Sequence, residues 1–152
     1  MEIESGFYYL RNLASGKYIG RLLAEDQSLL PKRVVSLPNQ FAGQTRFLFE
    51  KMSDNGYKVT VNGGRLIEID ERLFAALLPE PDPDQRWNLA QDERTGANHF
   101  VIIDPDKGFE RALKDTEQED RAQLAVGFVP VGRSFPPFYP PDAVWAFERA
   151  DD

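Results

Sequence analysis

Apolar and polar positions alternate along most of this chain in runs of five to seven residues, and glycine, proline or asparagine separates one run from the next. That period of two predicts half-buried β-strands. Residues 7–13 form the first run, Ala14-Ser15-Gly16 a tight turn, and residues 17–22 a second run, which together predict a hairpin. Residues 33–37 and 46–50 supply a third and a fourth strand, on either side of Pro38-Asn39-Gln40. The order then recurs. Residues 57–61, the turn Asn62-Gly63-Gly64 and residues 65–69 predict a second hairpin, followed by an apolar run at 73–78 and a closing strand at 86–89. A third pass runs through 99–103, the turn Asp104-Pro105-Asp106-Lys107-Gly108, a strand ending at Leu113, another at 123–129, and a last one at 144–147.

The landmarks agree across the three passes. Leu37-Pro38, Leu78-Pro79 and Val129-Pro130 each end a third strand, and Phe47, Trp87 and Trp145 each sit in a fourth. Gln44, Gln85 and Asp142 each precede that aromatic by two or three residues. Recurrence of this kind marks repeated supersecondary units. The fold class predicted is all-β: a single β-trefoil domain over residues 1–152, with twelve short strands in three four-strand repeats at about 6–51, 55–91 and 97–149. An irregular β-sandwich is the competing arrangement, and residues 73–78 could also be read as a helical turn.

Composition narrows the chemistry. The chain has no cysteine, which excludes disulfides, thiolate metal sites and a cysteine nucleophile. It has one histidine, His99, read as structural. A formal charge of −7 argues against nucleic acid and anionic membrane as partners. The acidic opening Met1-Glu2-Ile3-Glu4-Ser5-Gly6 carries no signal-peptide pattern, so a cytoplasmic protein is expected. Catalytic signals are thin. The carboxylates of Glu117-Gln118-Glu119-Asp120 and Glu80-Pro81-Asp82-Pro83-Asp84 fall in loops and read as solvated surface rather than a glycosidase pair. The segment 104–108 echoes a calcium loop but lacks its later ligands. The expectation is a non-enzyme with no cofactor, no metal and no catalytic residue.

Function is then expected in the loops, since a closed barrel is a rigid platform for them. Phe135-Pro136-Pro137-Phe138-Tyr139-Pro140-Pro141 is stiff and partly apolar, and reads as a lid over the barrel or as a partner surface. Glu25-Asp26-Gln27-Ser28-Leu29-Leu30-Pro31-Lys32 puts two adjacent leucines at what should be a loop tip. The opening Gly6-Phe7-Tyr8-Tyr9-Leu10-Arg11-Asn12, the stretch Ser15-Gly16-Lys17-Tyr18-Ile19-Gly20-Arg21, the Ser28-Leu29-Leu30-Pro31-Lys32 segment and the cysteine-free composition together resemble the fungal β-trefoil protease inhibitors, most closely the cospin-type serine protease inhibitors of mushrooms.

That resemblance implies a monomeric, defensive inhibitor of a trypsin-like or chymotrypsin-like serine protease. It also implies that the loop between the second and third strands, Glu25 to Lys32, enters the enzyme like a substrate. The residue filling the primary specificity pocket (P1) falls at Gln27 by this resemblance. Gln27 carries no charge to meet the carboxylate of a trypsin pocket. Leu29 follows as an apolar candidate, Leu30 would place Pro31 just after the scissile position, and Lys32 lies at the edge of the third strand. A carbohydrate-binding trefoil and a mycocypin-like cysteine protease inhibitor are the alternative functions. Tyr139 is the aromatic to test for sugar binding.

Overall fold

The computed structural model describes residues 3–21, 25, 27–38, 45–53, 56–78, 85–107, 111–132, 134 and 136–150. Twelve strands occur among them: β1 (Gly6–Asn12), β2 (Ile19–Arg21), β3 (Lys32–Ser36), β4 (Phe47–Lys51), β5 (Tyr57–Val61), β6 (Gly64–Ile69), β7 (Arg72–Ala76), β8 (Asn88–Gln91), β9 (His99–Ile103), β10 (Arg111–Lys114), β11 (Ala125–Phe128) and β12 (Trp145–Arg149). Two single turns of 3-10 helix, Pro105–Lys107 and Pro141–Ala143, are the only helical segments among the described residues. No helix among these is long and apolar enough to cross a membrane.

Every strand pairing is antiparallel, and the pairings close a circuit. From β1 the path runs through β4, β5, β6, β7, β11, β10, β9 and β12 and returns to β1. Strands β2 and β3 attach through β7, and β8 through β9. The scheme repeats along the chain. Strand β1 meets β4, Tyr57 of β5 bridges to Trp87 just before β8, and β9 meets β12. Likewise β2 pairs β3, β6 pairs β7, and β10 pairs β11.

Local chemistry explains the hairpin at β5 and β6. Asn62 and Gly63 both have positive φ, 47° and 79°, as a two-residue turn matched to strand twist requires. Glycine meets that demand without steric cost, and asparagine tolerates it. Strand β5 buries every second residue, Tyr57, Val59 and Val61, as its alternation predicts. The apolar run at 73–78 is strand rather than helix through Ala76, because β7 pairs β6 over five residue pairs from Ile69↔Arg72 to Arg65↔Ala76. Its turn, Asp70-Glu71, also has positive φ at both residues and contains no glycine, so the sequence gives little sign of it.

The first expected hairpin is corrected. Strand β1 forms no ladder with β2: it meets the following segment through the single bridge Arg11↔Tyr18, the hydrogen bond from the Asn12 N–H to the Lys17 carbonyl at 2.9 Å and the edge-on contact of the Tyr9 and Tyr18 rings. It lies instead between β4 and β12, with five residue pairs to β12 from Tyr8↔Arg149 to Asn12↔Trp145. Alternation identifies a strand but not its neighbour, and two full ladders satisfy far more backbone than one bridge. The turn itself is well formed. Asn12 Oδ1 accepts from the N–H groups of Ala14 and Ser15 at 3.1 Å, while its Nδ2 donates to the Asp142 carbonyl at 2.9 Å.

The core takes in the aromatic that marks the closing strand of each pass. Phe47, Trp87 and Trp145 are fully buried. Each indole N–H has a partner: Trp87 donates to the Leu66 carbonyl at 3.1 Å, and Trp145 to the Leu113 carbonyl at 3.0 Å. Buried indoles need such partners, and here they tie the strand region of each tryptophan to the second strand of its own pass. A further cluster was not legible. Tyr8, Phe49, Tyr57, Phe100 and Phe147 form successive ring contacts at 5.1–6.1 Å, most of them edge-to-face.

Asp104 is one of several buried polar residues, with Asn12, Lys32, Ser36, Thr45, Asp92 and Asp115, and differs from the other carboxylates among them in having an unpartnered oxygen. It is buried, with Oδ1 accepting from Gln85 Nε2 and from the Asp106 N–H, both at 3.1 Å, while Oδ2 is buried with no hydrogen-bond partner among the described residues. Loss of hydration raises its pKa above the ordinary carboxylate value, and the two hydrogen bonds oppose that rise only in part. The folded state therefore holds the proton more tightly than the unfolded chain does. The ionisation penalty is absent below the unfolded pKa near 3.8 and grows as pH rises through the folded value. Asp104→Asn is expected to gain stability relative to the parent as pH increases from 4 to 8. Urea unfolding at several pH values checks this, and a difference that does not change with pH would contradict it.

Candidate functional site

Strand β2 ends at Arg21, and the chain re-enters the sheet at Lys32. Of the connecting loop, Glu25, Gln27, Ser28, Leu29, Leu30 and Pro31 are described, whereas Asp26 lies outside the described residues. Gln27, Ser28 and Pro31 are exposed, and the leucines stand far out, with Leu29 61% and Leu30 66% accessible. No other large hydrophobic side chain among the described residues is as exposed as these two. Large apolar groups held in water at a loop tip are a usual mark of a partner surface.

Both ends of the loop are fastened. At the first, Arg21 makes a two-pronged pair with Glu25: Nε donates to Oε2 at 3.0 Å and Nη2 to Oε1 at 2.6 Å. Arg21 Nη1 donates to the Asn62 carbonyl at 2.7 Å, in the turn between β5 and β6. At the second, Lys32 pairs with Ala75 and Arg33 with Phe74, so this end of the loop is already sheet. The Ser28 hydroxyl sits between them, accepting from the Leu30 N–H at 3.3 Å and from Lys32 Nζ at 3.5 Å. Lys32 is buried. Of the segment named from sequence, Gln27 to Pro31 face solvent, Glu25 is held to the scaffold, and Lys32 belongs to the wall of β3.

Several of the remaining candidate groups make local contacts or face solvent. Glu117 and Glu119 are exposed in a turn in which Gln118 has positive φ, and Asp120 pairs with Lys17 at 2.7 Å. The segment 80–84 lies outside the described residues. No group of three or more metal-ligating side chains occurs among the described residues. His99 Nδ1 shares a hydrogen bond with the Thr95 hydroxyl at 2.9 Å.

The proline-aromatic segment divides. Phe135 lies outside the described residues, and Tyr139 packs half-buried on a second apolar cluster that includes Val101, Val129 and Val144. Phe138 is 53% exposed, with the Arg94 guanidinium 5.9 Å from its ring centre. Arg94 also donates to the Pro136 carbonyl at 3.2 Å and to Ser134 Oγ at 2.6 Å. Part of this segment covers the body, as the lid reading expects. The ring it leaves accessible is Phe138 rather than Tyr139, because Tyr139 has apolar neighbours to cover it.

Comparison with known proteins gives a consistent result. A family model described as peptidase inhibitor I66 matches residues 1–149. A protein of Lentinula edodes named serine protease inhibitor is 31% identical over 144 residues, spanning 94% of this chain and 95% of that protein. The structure of a proteinase inhibitor from Coprinopsis cinerea superposes with a TM-score of 0.87 at 28% identity, covering 98% of this chain and all of that one. The designed threefold-symmetric protein ThreeFoil superposes with a TM-score of 0.70 at 16% identity, over 95% of this chain and 99% of that one, a likeness of fold alone.

Proposed function

We propose, from the premise that the chain belongs to the peptidase inhibitor I66 family, that it inhibits a serine protease by inserting the loop between β2 and β3 into the active-site cleft in the manner of a substrate. Protease inhibition rather than catalysis is what family membership carries, and the Lentinula edodes relative is named for serine proteases. The observation that carries the loop reading is the exposure of Gln27, Ser28, Leu29 and Leu30 on a segment whose two ends are tied to the sheet. A segment held in one shape before binding forfeits less entropy on association, so a small contact can be tight. The fold that presents it is read as a β-trefoil of three four-strand repeats in one domain. The recurring pairings, the three buried aromatics and the likeness to a threefold-symmetric design support that description. A defensive role, as the fungal resemblance implies, belongs to the same reading.

Gln27 is the proposed P1 residue. A second reading, Leu29 as P1 against an apolar pocket, is favoured by its 61% exposure. The test is a titration of trypsin, chymotrypsin and subtilisin, with papain included to separate inhibition of cysteine proteases. Stoichiometric inhibition of a serine enzyme is expected. Truncating the true P1 residue, by Gln27→Ala or Leu29→Ala, should weaken inhibition roughly 30-fold or more, since central interface anchors commonly carry 2 kcal/mol or above. Full activity of all three serine enzymes in excess inhibitor would overturn the proposal.

A further inference from the structure

Arg21 lies outside the loop yet reaches both its first fastened residue and a neighbouring turn. Its backbone is fixed by pairing with Val34 across β2 and β3. Its guanidinium spends Nε and Nη2 on the two Glu25 oxygens and Nη1 on the Asn62 carbonyl. The carbonyl it reaches is itself rigid, because Asn62 occupies a turn with positive φ next to Gly63. The pair is also largely covered, at 12% side-chain exposure for Arg21 and 18% for Glu25. Exposed ion pairs are screened and contribute little, whereas a covered, two-pronged pair fixes position as well as charge.

We propose that Arg21 is a positioning residue for inhibition: it locks the start of the loop against the turn between β5 and β6, and so keeps the exposed residues 27–30 in a single binding shape. This rests on the reading of that loop as the protease-binding segment. The geometry asks for arginine specifically. A lysine ammonium could meet Glu25 or Asn62, but it lacks the planar fork that meets both Glu25 oxygens and still leaves an N–H for the Asn62 carbonyl. The loop's other end has its own ties, through Ser28 and the β3 ladder. Releasing Arg21 therefore frees one end only. A loop held at one end can fit an active site as a substrate does and be cut there, where a loop held at both ends stays intact.

The test compares Arg21→Ala, Arg21→Lys and Glu25→Gln with the parent, against whichever of trypsin, chymotrypsin and subtilisin the parent inhibits. Inhibition should weaken about 10- to 100-fold in each variant, mainly through faster dissociation. Mass spectrometry should find cleavage within residues 22–32 in the variants under conditions that leave the parent whole. Arg111→Ala removes an ion pair of the same length but greater exposure outside the loop, to Glu71 at 2.6 Å, and controls for the loss of an arginine elsewhere, while thermal melting of each variant controls for general loss of stability. Arg111→Ala should inhibit like the parent. Variants of Arg21 that inhibit as the parent does and resist cleavage would overturn the proposal. A parent that inhibits no serine protease, or that inhibits one equally well after both Gln27→Ala and Leu29→Ala, would overturn instead the reading on which it rests.

Discussion

Gln27→Arg is expected to produce strong inhibition of trypsin where the parent inhibits it weakly. The primary pocket of trypsin ends in a buried carboxylate. A glutamine there leaves that charge without a counter-ion, whereas a guanidinium pairs with it through two hydrogen bonds. Matching a desolvated charge is commonly worth about 2–5 kcal/mol, or roughly 30-fold to a few thousand-fold in the inhibition constant. Gln27 is exposed, so the larger side chain meets no core atoms and the fold should be unaffected. Slow-binding assays against trypsin measure the effect. Leu29→Arg is the companion variant: a gain there and none at position 27 would assign P1 to Leu29. No gain at either position would count against substrate-like insertion of this loop.

The largest stability effect is expected at Trp145. The side chain is wholly buried and its indole N–H donates to the Leu113 carbonyl at 3.0 Å. Truncating a buried tryptophan to alanine costs about 3–5 kcal/mol through lost contacts and the cavity left behind. It also leaves a buried carbonyl without its donor, a further cost on the order of 1–3 kcal/mol that does not simply add. For a chain of this length each kcal/mol lowers Tm by about 2–4 °C, so Trp145→Ala should melt roughly 10 °C or more below the parent. Trp145→Phe helps apportion the two causes, because it loses the same N–H as alanine but leaves a much smaller cavity. Thermal unfolding followed by circular dichroism provides the comparison. A loss for the alanine variant below about 1 kcal/mol would mean that the core closes over the gap.

Much of the fold was legible because its signals are local. Residues 57–61 alternate in burial as they alternate in sequence, and Asn62-Gly63 announces the turn that follows. Phe47, Trp87 and Trp145, each placed by the recurring pattern in a closing strand, are buried. What could not be read depends on partners distant along the chain. The neighbours of β1 are strands near residues 48 and 147, and nothing in residues 6–12 names them. The aromatic cluster joins Tyr8 to Phe147 in the same way. At the candidate site, composition marked residues 25–31 as a loop and the resemblance to fungal inhibitors singled it out, but whether Leu29 and Leu30 face water or pin the loop was not legible; they face water. The tie from Arg21 to Asn62 spans 41 residues and joins two different passes of the chain, so no motif encodes it. The burial of Lys32 was likewise hidden, because a lysine at a loop edge ordinarily points to water.

The pairing of β1 with β12 has a consequence for how this molecule is made. The circuit of strands closes only through contacts such as Tyr8↔Arg149, so the first strand waits for the last before its second edge is satisfied. Contacts this remote in sequence slow the search for the native state. During synthesis β1 would remain with one ladder unpaired until β12 has left the ribosome, a state open to pairing with another chain. Ring closure is then expected to be the late, cooperative step of folding, with local hairpins such as β5–β6 and β6–β7 formed ahead of it. Strand β12 would act as the latch that converts a sticky precursor into an unreactive one.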